Sequence, residues 1–531
     1  MTRVPVVIVG GGPVGLLLAI ELGRRGIRCL LVEQSDGAIT FPTGESLSTR
    51  SMEHFRRLGL AQRVRYAGFP PDYRRNVRFV TRVMGHQLAC FERTANDTPS
   101  GAEAAVSPES TVWCPKFFLD PLLREQAAAL PTVDLRFGWR WDALEQDEQS
   151  VVAEVVELAT GRRQQVDAEY LVGCDGGGSR VRQSQSVQLE GTYAEAHNLG
   201  IFFRAPTLLE RNPHGPASQY WLVNRDLRGP CSAVDGRQLW RLSVEYPPEK
   251  LDRVDAARVV RNAVGADLPV EVLEVRPWAG HRMVTETYRC GRIFLAGDSA
   301  HLMWPRGGFG LNTGIGDAVD LAWKLAATLQ GWGGPGLLDT YDLERRPIGW
   351  RNANAAAENR AAEMAVPLPL LLEEDSPRGA AERALVGETI VRMRRKEWSS
   401  LGIQLGYRYD ASSVCITDGT PAPSSDPSVY EPAARPGSRA PHAWLGDGRS
   451  TLDLFGNGFT LLAFARDGVD RVGRRVPLKV VVIEDAEIAR LYERRFVLVR
   501  PDGHVAWRGD DVPGDGVLDQ VRGFVRSGAR L

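Results

Sequence analysis

The feature that constrains this chain most lies at its N-terminus. An apolar, largely β-branched run from Val4 to Val9 enters Gly10-Gly11-Gly12-Pro13-Val14-Gly15. Leu16 to Arg25 then reads as a helix closed by Gly26, and Cys29 to Val32 as a second strand ending at Glu33. Short β-branched runs of this kind make parallel strands buried on both faces. Gly10, Gly12 and Gly15 fit G-x-G-x-x-G. Gly10 permits the tight turn, Gly12 lets the backbone approach a pyrophosphate, and Gly15 lets the helix pack on the strand. The helix N-terminus adds free N–H groups and a partial positive charge for phosphates. Glu33 follows Gly15 by 18 residues, where a carboxylate accepts from ribose hydroxyls. Strand, turn, helix, strand and acid in this order specify dinucleotide binding. An acid at Glu33 disfavours NADP in this site but leaves NAD and FAD open.

Two later strands end in comparable fashion. Gly291-Arg292-Ile293-Phe294-Leu295-Ala296-Gly297-Asp298 brings Asp298 out at the carboxyl end of a sheet, where ligands of such folds bind. Pro305, Gly307, Gly308, Gly310, Leu311 and Asn312 follow in a glycine-rich loop, with a helix predicted from about Ile315. The carboxylate suits sugar hydroxyls, and loop N–H groups suit a ring carbonyl. Midway, Tyr170-Leu171-Val172-Gly173-Cys174-Asp175-Gly176 is a third strand ending in Asp-Gly, followed by Ser179 and Arg182.

On these residues the chain resembles the single-component FAD-dependent aromatic hydroxylases, the class A flavoprotein monooxygenases of the para-hydroxybenzoate hydroxylase fold. The phenol hydroxylase and chlorophenol monooxygenase branch is the most similar. Tyr341-Asp342-Leu343-Glu344-Arg345-Arg346-Pro347, Gln404 to Tyr409 and the run from Pro436 to Phe455 extend the resemblance over nearly the whole chain. It implies bound FAD, NAD(P)H as reductant and O2 as co-substrate. Asp298 then holds the ribityl chain, amides near Leu311 and Asn312 face the flavin pyrimidine edge, and Asp175 bridges the FAD and NAD(P)H functions. Arg50, opening the Arg50-Ser51-Met52-Glu53 helix, joins the implied cofactor residues. So does Lys116, which stands where relatives carry a Gln; Thr43 stands where many carry an Arg. Oxygen is expected to form a flavin C4a-hydroperoxide whose distal oxygen attacks an activated aromatic ring. Baeyer–Villiger oxidation or epoxidation of a polycyclic substrate needs the same cofactor residues and stays open. A non-oxygenating reductase and a non-enzymatic binding protein are further readings, the latter requiring no flavin.

The resemblance and the element pattern together imply an α/β chain: a Rossmann-like FAD-binding domain, an inserted, mostly antiparallel β-sheet substrate domain, and a C-terminal thioredoxin-like domain without CxxC. The expected boundaries are 1–75, 105–185 and 285–350 for the FAD domain, and 76–104 and 186–284 for the substrate domain. A helical segment at 351–400 and a linker plus terminal domain at 401–531 complete the chain. Leu239 to Glu245 alternates as a half-buried strand should. Phe459–Ala465, Leu478–Ile483, Phe496–Val499 and Val505–Arg508 read as strands, with a turn at Asp502-Gly503 and a final helix from about Val517.

Composition removes other classes. Lys+Arg number 65 and Asp+Glu 66 in 531 residues, so the domain-scale basic surface of a nucleic-acid binder is missing. The seven cysteines form no CxxC and no metal-ligand spacing, which points away from disulfides and zinc and towards a reducing cytoplasm. Arg3 and the following apolar run mimic a signal peptide, but three glycines and Pro13 interrupt it and no cleavage-like site follows. No membrane segment, nucleic acid or separate reductase is expected; the partner is a small aromatic substrate.

Phenolate is a far better nucleophile than phenol, so an acceptor near the substrate hydroxyl is expected. By its distance from Arg50, Glu45 matches the acidic residue that assists the phenol in phenol hydroxylases; the alternative is a solvated loop carboxylate. Arg282, beside Trp278 and His281, either stabilises a phenolate or makes a structural ion pair. Tyr220 and Trp221 either line an aromatic pocket or belong to the core.

Overall fold

Five parallel strands decide where a ligand meets this chain. The computed structural model describes residues 2–97, 101–249, 254–473 and 475–524. Its first sheet runs Ile293–Leu295, Arg163–Gly173, Thr2–Val9, Cys29–Glu33, Val133–Phe137, all parallel. Val6, Val7, Ile8, Leu30 and Leu31 are fully buried, as a sheet covered on both faces requires. The register matters more. Val9 pairs with Val32 and with Gly173, and Gly173 with Leu295, so four strands stop on one line. Gly10, Glu33, Asp175 and Asp298 therefore emerge at the same edge, although they span almost three hundred residues of sequence. An antiparallel hairpin, Trp139–Gln146 and Val151–Glu157, extends the sheet beside Arg163–Gly173.

Helix Pro13–Arg24 covers one face and packs on helix Phe309–Leu329. The second helix corrects the sequence reading, which starts it at Ile315. Gly310, Gly314 and Gly316 lie inside it, at a propensity cost of about 1 kcal/mol each. Packing explains two of them. A Cβ on Gly314 would lie 2.6 Å from Val14 Cγ2, and one on Gly316 2.6 Å from the Arg345 guanidinium. This helix and the first glycine turn can touch only because Gly314 has no side chain, and Gly316 leaves the room that Arg345 fills.

The second sheet stands over the same edge. Its order is His301–Leu302, Glu271–Thr285, Leu189–Arg204, Leu239–Glu245, Arg228–Ala233, Gln219–Val223, Val77–Val80, Gln87–Phe91, antiparallel except between Gln219–Val223 and Val77–Val80. Helices Thr340–Met364 and Pro377–Trp398 follow. The last sheet, Leu478–Val482, Phe459–Ala463, Phe496–Val499, Val505–Gly509, has one parallel and two antiparallel pairings and ends in helix Asp515–Val521. That is the thioredoxin-like order, with the first crossover helix reduced to a turn at Val469–Arg471.

Ion pairs fasten this terminal unit to the first. Arg439 grips both carboxylate oxygens of Glu53, Arg56 binds Asp453 at 2.7 and 2.9 Å, and Arg500 reaches Glu344 and Asp320. All but the Arg56–Asp453 pair are almost fully buried, so removing one partner strands a charge and is the costly change. Among the described residues no helix is long and apolar enough to cross a membrane.

Candidate active site

One cavity of about 580 Å³ lies between the strand edge and the second sheet. At its first end the three glycines divide their work. A Cβ on Gly10 would collide with the Cys174 carbonyl, and one on Gly15 with the Gly10 carbonyl, so both are demanded by packing. A Cβ on Gly12 would meet nothing within 4 Å. Gly12 and Pro13 line the cavity, and the helix start is the natural seat of a pyrophosphate. Glu33 accepts from the Gly11 N–H at 2.7 Å and the Ser35 N–H at 2.8 Å, which sets its carboxylate beside the turn.

Asp298 is exposed, lines the cavity, and makes no hydrogen bond or ion pair among the described residues. Pro305, Gly310 and Leu311 continue the wall, the last two in the first turn of helix Phe309–Leu329 with its free N–H groups. The Asn312 side chain is committed elsewhere. It accepts from Ser48 N–H and Ser51 Oγ and donates to the Ser46 and Gly308 carbonyls. It ties the Ser46–Ser51 segment to the helix start. Lys116 lines the cavity beside Gly44, its Nζ 3.7 Å from Asp120. Burial lifts Asp120 to about 6 against the pull of that ammonium. An open glycine turn, a free carboxylate and a helix N-terminus on one wall fit FAD: pyrophosphate, ribityl hydroxyls and pyrimidine carbonyl each find the donor or acceptor they need.

The opposite end has a sheet floor. Cross-strand register places Phe202, Arg241, Ser232, Gln219 and Val77 in one row, and Gly200, Ser243, Pro230 and Trp221 in the next. From the Arg241 strand to the Val77 strand is three spacings, roughly 14 Å. Trp113, Trp221, Trp278, Trp304 and Trp398 all line the cavity. Glu45 enters at the junction of the two ends, with Oε1 2.5 Å from an Arg241 guanidinium nitrogen, poorly angled for a hydrogen bond. Both side chains are largely buried, which removes the reading of Glu45 as a solvated loop carboxylate. His281 also lines the cavity. Its Nδ1 accepts from Ala194 N–H at 3.0 Å, and burial holds its pKa below the usual histidine range.

Residues 3–356 match the FAD binding domain family, and residues 433–524 the aromatic-ring hydroxylase C-terminal family. A putative polyketide hydroxylase of Streptomyces halstedii is 34% identical, the alignment covering 96% of this chain and 94% of that protein. The 2,4-dichlorophenol 6-monooxygenase of Cupriavidus pinatubonensis is 30% identical over 98% and 96%. The solved structure of RebC soaked with chromopyrrolic acid and holding 7-carboxy-K252c superposes with a TM-score of 0.93 at 43% identity, covering 99% of this chain and all of that one. The chain belongs to the FAD-dependent aromatic-ring hydroxylases.

Several residues of the hydroxylase expected at the site do not line the cavity: Gly10, Gly15, Glu33 and Asn312 stand just behind its wall, and Arg282, Arg50 and Asp175 are committed elsewhere. Arg282 is partly exposed and bonds Thr192 and Asn354 at 3.2 Å, beside Glu195, so the cavity receives its neighbour His281 instead. Arg50 is buried, pairing Glu53 at 2.9 Å and the Asp502 carbonyl at 2.7 Å in the terminal unit. Asp175 accepts from Ser179, Ser299 and Val181 N–H, and so clasps two strand ends together. Tyr220 is core and its neighbour Trp221 is cavity wall. Arg241, Gln219 and Trp398 were not singled out from sequence. Arg241 had a signal: Trp240, Leu242 and Val244 are the buried set of an alternating strand. Its polar set faces this cavity rather than solvent.

Proposed function

We propose that this hydroxylase inserts one oxygen atom of O2 into a flat, fused-ring phenol, with NAD(P)H as reductant and no separate reductase. The observation that carries the reading is the floor: roughly 14 Å of sheet walled by tryptophans, continuous with the cofactor end and met at the junction by Glu45 and Arg241. A single-ring phenol leaves most of that width empty. The polyketide hydroxylase and RebC relatives support the same substrate class.

Bound FAD supplies the redox and oxygen-activating chemistry. Asp298 would accept from its ribityl hydroxyls, the Gly12 backbone and helix start would hold its phosphates, and the amides of Gly310 and Leu311 would donate to its pyrimidine carbonyls. Glu45 accepts the substrate hydroxyl's hydrogen bond and takes its proton as the ring is attacked. Arg241 offsets the negative charge that then sits on the phenolic oxygen. The tryptophan walls hold the ring plane and keep water away.

The test is NAD(P)H oxidation by the FAD-loaded protein with hydroxynaphthalenes and hydroxyanthraquinones, with product masses. A hydroxylated product in step with NAD(P)H consumption upholds the reading. A ring-expanded lactone (or its hydrolysed hydroxy acid) or an epoxide transfers it to the Baeyer–Villiger or epoxidising alternative, and peroxide alone rejects it.

A further inference from the structure

Five arginines line the cavity, and the guanidinium groups of four are accounted for. Arg306 binds Glu363 at 2.5 and 3.1 Å, and Arg241 pairs with Glu45. Arg276 binds Glu274 and Thr40. Arg75 spends its donors on the carbonyls of Thr94, Thr111 and Ala95. Arg93 is different. Its guanidinium makes a single long bond, 3.4 Å to the Trp398 carbonyl, and has no carboxylate partner among the described residues.

Its surroundings reinforce the imbalance. Burial and then the charge of Arg93 push Arg75 down to about 9, so two cations stand close together at this wall. The cavity's Glu397 does not neutralise them, because Arg394 and the Gly307 N–H already hold it. Trp398, on the same wall, has a buried indole N–H with no acceptor among the described residues. The position is informative too. Arg93 follows strand Gln87–Phe91, which lies beyond Val77–Val80, so it stands across the floor from Arg241. The cavity thus has two polar poles separated by the width of the sheet floor between its tryptophan walls: Glu45 with Arg241 at one, Arg93 with Arg75 and Trp398 at the other.

We infer that Arg93 binds a carboxylate on the far ring of the substrate, opposite the ring whose hydroxyl meets Glu45. A guanidinium presents a planar fork of donors that matches a carboxylate, and a partly buried, unpaired one is the strongest candidate for such a partner. This inference rests on the fused-ring reading above and specifies the class further, to fused-ring phenolic acids.

Calorimetric titration of the FAD-loaded protein tests it with two probes, a hydroxyanthraquinone and the same compound carrying a carboxylate on the far ring. The wild-type protein is expected to bind the acid about tenfold or more tightly than the neutral probe. Arg93→Gln should erase most of that preference, leave the neutral probe's Kd within about twofold and leave the melting temperature unchanged. Arg93→Lys should restore part of it. An acid bound no more tightly than the neutral probe overturns the inference while the fused-ring reading stands. So does equal weakening of both probes by Arg93→Gln, which makes Arg93 a support for the Trp398 wall. Wild-type protein that binds neither probe rejects the fused-ring reading, and this inference with it.

Discussion

Asp175 and Asp298 look alike in sequence: each follows an apolar strand, sits beside glycine, and emerges at one edge of one sheet. Their surroundings make them opposites. Asp175 has three donors from its own chain and holds Ser179, Ser299 and the start of helix Arg180–Ser184 together. Asp298, exposed on the cavity wall, has none among the described residues. A carboxylate whose lone pairs are already used stabilises the apoprotein; one whose lone pairs are free stabilises the complex. Position in a motif does not tell the two apart, but hydrogen-bond occupancy does.

That contrast can be broken at several points. The largest effect is expected for Asp298→Ala, which removes charge-assisted bonds worth about 1.5–3 kcal/mol each and should weaken FAD binding about 10²-fold or more. Fluorescence titration of apoprotein with FAD reads this, and the apoprotein's melting temperature should not move. Glu45→Gln should retain FAD and lower kcat by about 10²-fold. Asp175→Asn should do the reverse of Asp298→Ala. Losing its clasp should cost about 2 kcal/mol of apoprotein stability, seen as a lower Tm, with FAD affinity changed far less. If Asp175→Asn loses FAD while its apoprotein melts normally, the distinction between the two residues fails.

Acid should act on two buried carboxylates, Glu53 at the junction to the terminal unit and Glu363 beside the cavity's Arg306, in a defined direction. Against burial, which raises it, Arg439 and Arg50 hold Glu53 down to about 2; Arg306, Arg394 and Arg360 do the same for Glu363. Both carboxylates have lower pKa values folded than unfolded, so their stabilisation is complete above about 4.5 and is lost as the pH falls towards 2. Melting temperatures should decline across that window. The smallest effect is expected for Arg50→Gln, which should leave FAD affinity within about twofold while loosening the junction to the terminal unit.

Much of the fold is legible in sequence because its signals are local. The glycine turn, the strands ending at Asp175 and Asp298, and the terminal strands at Phe459, Leu478, Phe496 and Val505 each follow from a few neighbouring residues. What escapes is set by packing over long separations. The start of helix Phe309–Leu329 is hidden because its glycines serve contacts with Val14 and Arg345. Arg50 reads as a cofactor residue until Asp502, 452 residues away, claims it. Arg282 and His281 are adjacent on one strand, and only the register and bulge between Thr192 and Ala196 decide which of them the cavity receives. Arg93 carries no motif at all; its importance is that no carboxylate among the described residues pairs with it.

The central claim is that one cavity brings FAD and a fused-ring phenol together for oxygen insertion. The most direct measurement is product analysis of the FAD-loaded protein turning over a hydroxyanthraquinone with NAD(P)H under isotope-labelled dioxygen. The account requires one labelled oxygen atom on the ring for each NAD(P)H consumed, and loss of that product in Glu45→Gln with FAD still bound. NAD(P)H oxidation that yields only hydrogen peroxide, or a ring oxygen that comes from water, would contradict it.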